Sequence, residues 1–557
     1  MVRGVVEWVV LGGSEMAWAS APEVREQMVL FATSLDEVIP EDHLVRVLDE
    51  VLRTLDWSEF EARYHGSLGA KPIHPRVLAS VLLYGLMTRV RSSRQLEAAL
   101  WCRVDFRWLA EGWQIDHTTL SNFRKNFGEL LKGIHTQFGV LAFQMGVTTL
   151  TQFGFDGTRL RSSNKRTRTV DVAGLEALEQ ELQRTFAEWE QEATTADARD
   201  EESFDGPLQR TPKDLAKAKN RLEALARARA EIERVKAARE PVPKRIPLTD
   251  PQSRLSPNKE GGFAPNYTPL ALVDMESGLT LSDDVLQNTD EEQHLVAALE
   301  DIEARLAQAG VPAHVTSLAA DGKFVTGPNL EALAQRDTAF YGPITPQPEC
   351  VKRPAGSTPI ATDHWEELPT TVVRKKTKTQ PEQRQLAKEA FLYDKAQNCY
   401  WCPTGQQLPY TGLSTETIPG TERLVKRQRY RSEASVCAAC PLRAKCLQAT
   451  ATERTLSRDQ YEEHREALRE RMTHDSSKAR KSQRQAEGER PFAVIKHLFG
   501  IRQFLLRSLA KVRSEWKWMT AATNAQVMCR WFRTHHDRVP HSPHRPGGRA
   551  SPAPVGP

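Results

Sequence analysis

No apolar run in this chain approaches the ~18–20 residues that a membrane-crossing helix needs, which excludes a helical membrane protein. The short greasy stub Val5–Leu11 is broken by Glu7 and lacks the basic start of a signal peptide. Residues 1–29 are therefore expected to be a poorly ordered or spurious extension, with Met16 or Met28 as an alternative start. Cysteine is scarce: eight thiols, clustered late, cannot staple a disulfide scaffold, and this points to a reducing cytoplasm. Net charge is only +4, so the chain is not a uniformly basic coat for nucleic acid. What it has instead is length and patterning. Its 557 residues allow two to four domains, with an acidic, helix-rich middle and a basic C-terminal third.

The basic third is densest from Lys478 to Arg513, where ten Lys/Arg stand against two Glu, a balance that attracts phosphate. Within it, Glu489 and Lys496 lie seven residues apart. On a regular helix that is two turns, ~10 Å along one face, so an acid and a base would project together. Such a pair could hold a metal ion beside the phosphate it acts on, or could be a coincidence on a solvated helix.

Upstream, Leu44, Leu48, Val51, Leu52 and Leu55 keep helical spacing, and His74-Pro75-Arg76 opens a second helix whose run Val77–Met87 is of buried type. Short helices follow, ending in one opened by Asp116 as N-cap and carrying Arg124 and Lys125 outward. Residues 30–140 thus fit either a helix-turn-helix-like DNA reader or a plain helical bundle with a polar surface. Residues 147–156 are β-rich and deliver Asp156-Gly157-Thr158, where glycine lets backbone approach a phosphate; most such triplets are simple turns. Residues 172–240 read as two antiparallel helices, an inserted hairpin whose role is structural packing or, alternatively, a clamp on DNA. Residues 268–275 and 279–286 read as a β-hairpin whose Asp274, Asp283 and Asp284 are expected to be solvated. The strand His314–Ala320 then delivers Asp321-Gly322, repeating the arrangement at Asp156.

Beyond residue 346 come Cys399, Cys402, Cys437, Cys440 and Cys446, two CxxC pairs and one further thiol with the spacing of a zinc ribbon. Five thiols for four positions leave one surplus. The alternative is a set of reduced, buried cysteines. The tail from Pro540 is rich in Pro, Gly, His and Arg, a composition that favours disorder.

Asp156, Asp321 and Glu489 form a carboxylate trio of the kind that holds two Mg²⁺ (or Mn²⁺) ions in phosphodiester chemistry. Mg²⁺ uses few carboxylates and completes its shell with water and substrate phosphate, so three acids suffice. The order strand, hairpin, strand, helix fits an α/β, ribonuclease-H-like mixed-sheet core over 145–345 and 480–530, with a cysteine-rich insertion at 346–479.

From about Leu30 to Asn524 the chain resembles bacterial insertion-sequence transposases of the DDE type, the family numbered eleven-eighty-two within the broad group of elements four and five. The resemblance is carried by Ser34-Leu35-Asp36 with Ile39-Pro40, by His74-Pro75-Arg76-Val77-Leu78, and by Arg91-Ser92-Ser93-Arg94 with Leu96-Glu97. Phe155-Asp156-Gly157-Thr158 and Ala320-Asp321-Gly322-Lys323-Phe324 look like the first and second catalytic aspartates. The most specific motif is Glu489-Arg490-Pro491-Phe492-Ala493-Val494-Ile495-Lys496, followed by Arg502–Arg507 and Lys511–Trp516. Cys402-Pro403 and Cys437–Cys446 are similar to the family's insertion. That resemblance makes Cys399 the surplus thiol and Cys402, Cys437, Cys440 and Cys446 the zinc ligands. The chain departs from the wider group at Ser482 and Gln485, where many relatives carry Tyr and Arg, with Arg484 one residue out of register. Glu487 is a rival to Glu489 but lacks its spacing to Phe492 and Lys496.

The resemblance implies a DNA transposase: binding of terminal inverted repeats, hydrolysis at the element's ends, and attack of the freed 3′-hydroxyl on target DNA. It implies a homodimer in a synaptic complex, a nucleoid-associated cytoplasmic location, no membrane partner, and DNA contacts from Lys496, with Arg502, Arg507 and Lys511 extending the track. A decayed, non-catalytic DNA-binding copy and a plain metal-dependent nuclease are the alternatives.

Overall fold

The computed structural model describes residues 34–539, apart from 65–71, 165–167, 202–212, 259–260, 289, 313, 375–382 and 418–423. The N-terminal extension at 1–29 and the tail from Pro540 lie outside the described residues.

The helix Leu509–Thr534 is the axis of the molecule. Seventeen of its 26 residues are buried, apolar ones such as Trp516, Trp518 and Met519 together with polar ones such as Lys517, Thr520 and Asn524, so it is covered on nearly every side and its polar groups need partners there. One side packs on a mixed sheet. The other meets the N-terminal helices Leu44–Arg53, Pro75–Met87, His117–Asn126 and Leu131–Gln144. A single hydrophobic core consequently runs from Ile39 to Phe532. The N-terminal helices start where sequence chemistry says they should. Ser92 and Gln95 form a capping box, Asp116 accepts the N–H groups of Thr118 and Thr119, and Pro75 occupies a first-turn position where its missing N–H costs nothing.

The central sheet is built from β1 (Gln152–Gly157), β2 (Leu160–Arg161), β5 (Arg254–Pro257), β6 (Phe263–Asp274), β7 (Thr280–Leu286), β8 (Ser317–Ala320) and β9 (Ala339–Tyr341). Between β2 and β5, β3 (Thr169–Asp171) and β4 (Arg245–Pro247) form a two-stranded clasp. From that clasp the helices Leu175–Glu201 and Lys213–Ala237 project as a hairpin packed around Leu175, Leu225 and Ile232. β6 pairs antiparallel with β1 on one side and β7 on the other, and β1 pairs in parallel with β8, as β8 does with β9. Residues 349–471 carry further short strands around a separate core of Leu386, Tyr400, Leu408 and Tyr430.

The acids of the β6–β7 hairpin are not all solvated, contrary to the sequence reading. Asp274 is buried and takes up the N–H and hydroxyl of Ser277; burial first, against those hydrogen bonds, pushes its carboxyl up to about 6. Asp283 is buried against Lys517 at 3.1 Å and accepts from Thr520. The long helix covers that face of the hairpin, a tertiary contact that strand alternation cannot report. Beside the pair, burial lowers His135 to about 4.

These groups predict an acid response. His135 is neutral in the fold but protonates near its ordinary 6.5 when unfolded, so its contribution is lost as pH falls from 6.5 toward 4. Asp274 acts oppositely, because the fold holds its proton up to about 6. Carboxylates held low elsewhere, such as Asp283 and Glu462, also lose stability as pH falls, so the His135 contribution is read as the difference between variant and wild type. His135→Gln should gain up to about 3 kcal/mol relative to wild type between pH 7 and pH 4, read as urea midpoints at each pH. A gap that stays constant with pH would refute the burial argument.

Candidate active site

β1 and β8 deliver their acids side by side. Their parallel register sets Phe155 opposite Ala320, so Asp156 and Asp321 emerge as neighbours at adjacent strand ends, where strands lie ~4.8 Å apart. The local geometry is the same at both: Asp156 Oδ1 accepts the N–H of Gly157 at 2.8 Å, and Asp321 Oδ1 that of Gly322 at 2.6 Å. Phe155 and Phe324 pack edge to face at 5.2 Å and tie the two turns together from below.

Glu489 arrives on a segment that is not the regular helix expected. After the helix Asp475–Gln483 come a π-turn at Arg484–Gly488, an α-turn at Arg490–Ala493 and a second π-turn at Val494–Leu498. Pro491 is the reason: it has no N–H to give the carbonyl of Glu487, and its ring crowds that carbonyl, so the helix widens next to Gly488. The spacing of Glu489 and Lys496 on one ideal face is thus corrected; the widened turns rotate one relative to the other.

The course of this segment is nevertheless well anchored. Arg480 donates to Gln152 and Ser317 at the starts of β1 and β8, both at 2.8 Å. Gln483 donates to the carbonyl of Met275, and Lys496 donates to Thr158 just past the end of β1. The chain therefore runs along β1 in the strand's own direction. Glu489 lies on this segment between the anchors at Arg480 and Lys496. Glu487 is turned elsewhere: it pairs with Arg490 at 3.1 Å and its Oε2 lies 3.5 Å from where a Cβ on Gly278 would stand, at the hairpin turn. The side chains of Arg484 and Gln485 lie outside the described residues. Among the described residues, no three His, Cys, Asp or Glu side chains form a group that could hold a metal ion.

Past Thr158, a cleft of about 320 Å³ gathers Arg159, Arg161, Lys496 and Arg502, with His497 at its rim and no carboxylate among its described lining. Arg507 and Lys511 are exposed farther along, Arg507 donating to the carbonyl of Ser163. Lys125 is exposed on the N-terminal helix. Arg124 is not offered to DNA as expected: it donates to the carbonyl of Arg91 and burial lowers its pKa. Its own carbonyl receives Ser514 and Trp518 of the long helix, which explains why this part of the surface is folded inward. Arg91 in turn pairs with Glu515 at 2.6 Å, and Glu515 accepts the N–H groups of Leu505 and Leu506. Two stretches far apart in sequence thus hold the Arg502–Arg507 loop in place.

Among the described residues no three cysteines group closely enough to hold a metal ion, but charge effects link four of them. The thiol of Cys446 is pushed up to about 11, by burial first and then by the nearby Cys437, Cys402 and Cys440. Cys402 Sγ receives the N–H of Gln406 at 3.2 Å, and Cys437 Sγ lies 3.0 Å from the Ser432 hydroxyl. Cys399 is buried in a strand, where its thiol meets Gln407 and Asp394 instead.

One residue at the site was missed in the sequence. Glu291 is buried, and its Oε2 would stand 2.4 Å from a Cβ placed on Gly157. Its Oε1 pairs with Lys323 at 3.1 Å. Nothing in Asp290-Glu291-Glu292 singles out the middle acid, because its importance comes from the packing of its turn on the turn Gly322–Phe324.

Against known protein families, residues 33–126 match a transposase domain (DUF772), and residues 401–529 match a transposase DDE domain. Both matches are to transposase domains, and together they support a DDE-type transposase. The second match contains Glu489 and Lys496; Asp156 and Asp321 lie outside both. No curated protein matches the chain. No helix among the described residues is long and apolar enough to cross a membrane.

The contact at Gly157 yields a test. Gly157→Ala forces its methyl into Glu291 and, at 2.9 Å, into Leu270. The cost should be about 1–3 kcal/mol in denaturant unfolding, whereas Gly174→Ala, with open space around it, should cost under about 1 kcal/mol. Equal costs would mean that Glu291 does not occupy that space.

Proposed function

We propose that the chain is a DNA transposase whose Asp156, Asp321 and Glu489 hold divalent metal for cleavage of its element's ends and joining of the 3′-hydroxyl to target DNA. The observation that carries this reading is the register of β1 with β8, which makes neighbours of two aspartates 165 residues apart. Glu489 rides on the segment packed along the same strand. The donor set suits Mg²⁺ or Mn²⁺: hard carboxylate oxygens, few in number, on backbone made close by glycine. Bound there, such ions supply activation of an attacking oxygen and stabilisation of the departing one.

The chain's own groups do the rest. Gly157 and Gly322 amides hold one oxygen of each aspartate, which limits how the carboxylates can turn. Lys496, placed by Thr158, and the guanidinium groups of Arg159, Arg161 and Arg502 form a positive cleft that would seat the DNA strand leaving the centre. Arg507, Lys511 and Lys125 extend that track. Recognition of terminal inverted repeats, assembly of two copies on paired ends, and work at the nucleoid in the cytoplasm complete the reading.

The deciding experiment uses end-labelled duplexes carrying the terminal repeats. Asp321→Asn should lower Mg²⁺- or Mn²⁺-dependent cleavage by more than about a hundredfold, the most that loss of an outer-shell partner causes, and leave binding of the duplex intact. Cleavage that survives would remove Asp321 from the reaction; joint loss of binding and cleavage would assign it to folding.

We further propose that Cys402, Cys437, Cys440 and Cys446 bind one structural Zn²⁺, supported by their CxxC spacing and by the charge effects of the other three on Cys446. Protein purified without chelator should carry about one zinc per chain, and Cys446→Ser should release it while Cys399→Ser should not. A zinc-free protein, or one in which Cys399 is the sensitive position, overturns the assignment.

A further inference from the structure

The Asp156 and Asp321 turns are joined by a contact that the reaction itself does not require. Glu291 sits at the head of the 3₁₀ turn Glu291–His294, between them. Its side chain is 11% exposed; one oxygen presses on Gly157, the residue after Asp156, and the other pairs with Lys323, two residues after Asp321. Lys323 lies on the turn Gly322–Phe324, on which the Glu291 turn packs. Glu291 is taken largely out of water while Lys323 stays 38% exposed, so losing the lysine leaves a buried carboxylate without the cation beside it. Asn329 donates to the carbonyl of Glu292 at 2.9 Å and to that of Phe324 at 3.2 Å, which fixes the backbone on both sides of the pair.

We propose that Glu291 is a positioning residue of the catalytic centre: through Lys323 and the close approach to Gly157 it fixes the spacing of the two aspartate turns, and with it the affinity for divalent cation. The inference rests on the metal-binding reading of Asp156 and Asp321. Lys323 makes it distinguishable from simple electrostatics. Removing a positive charge beside a cation site should strengthen cation binding if field alone matters. If the pair positions the turns, removing it should weaken binding.

The test is Mn²⁺ affinity of the full chain without DNA, by calorimetry, with unfolding midpoints measured alongside. Glu291→Gln and Lys323→Met should each weaken Mn²⁺ binding about tenfold, the range seen when outer-shell partners of metal ligands are lost. Lys323→Met also removes the approach of Lys323 to Glu292 at 3.9 Å, so the double variant should be little worse than Lys323→Met alone. Tighter binding by Lys323→Met, unchanged affinity in either variant, or a loss explained by a lowered unfolding midpoint would overturn the proposal. Asp321→Asn separates this from the reading beneath it. If Asp321→Asn abolishes Mn²⁺ binding and Glu291→Gln leaves it unchanged, only the positioning role fails. If Asp321→Asn leaves Mn²⁺ binding unchanged, the metal assignment fails and the positioning role with it.

Discussion

The ion pair between Lys517 and Asp283, closed off by Thr520, is the constraint on which the rest of the structure depends. It locks the long C-terminal helix to β7. Two charges buried together are costly unless their geometry and hydrogen bonds are satisfied, so the pair tolerates one docking of helix on sheet. Asn524 reinforces that docking one helical stretch later, its amide exchanging hydrogen bonds with the backbone of Thr280 much as a neighbouring strand would. With the helix fixed, its opposite side becomes the floor for the N-terminal helices. Arg91 and Glu515 are then brought together where Glu515 holds the loop at Leu505–Leu506.

Much of this was legible in the sequence where local rules suffice. Asp116 and Pro75 announced helix starts, and the hairpin of Leu175–Glu201 with Lys213–Ala237 followed from apolar spacing. The strand-end placement of Asp156 and Asp321 could be read from β-rich runs meeting Asp-Gly, but their adjacency could not, since it depends on strand register across 165 residues. The failures share a cause. Asp274 and Asp283 were read as solvated because pattern within a strand is blind to what covers it. Arg124 was read as a DNA contact because its helix looked like a surface helix until the C-terminal helix closed over it. The π-turns around Glu489 are written in Pro491, yet a proline forecasts an interruption and not its geometry.

Glu291 marks a different limit. It is one acid of three in a row, and only the absence of a side chain at Gly157 gives its carboxylate room. The information is split between two residues with no periodic relation, so each looks ordinary by itself. Spatial complementarity of this kind becomes visible only when the turns are placed together.

The β3–β4 clasp has a bearing on how such a chain changes over time. Thr169 and Pro247 face each other across one strand spacing, so the helical hairpin enters and leaves the core through a doorway about as wide as a peptide pair. Beyond that doorway the described residues of the arm pack around Leu225 and Ile232, with Glu231 and Arg234 reaching back to Arg254 and Gln287 at its base. An arm attached in this way can lengthen, shorten or be exchanged without disturbing the register that pairs the two aspartates. Selection can therefore act on what the arm touches independently of the chemistry at its base.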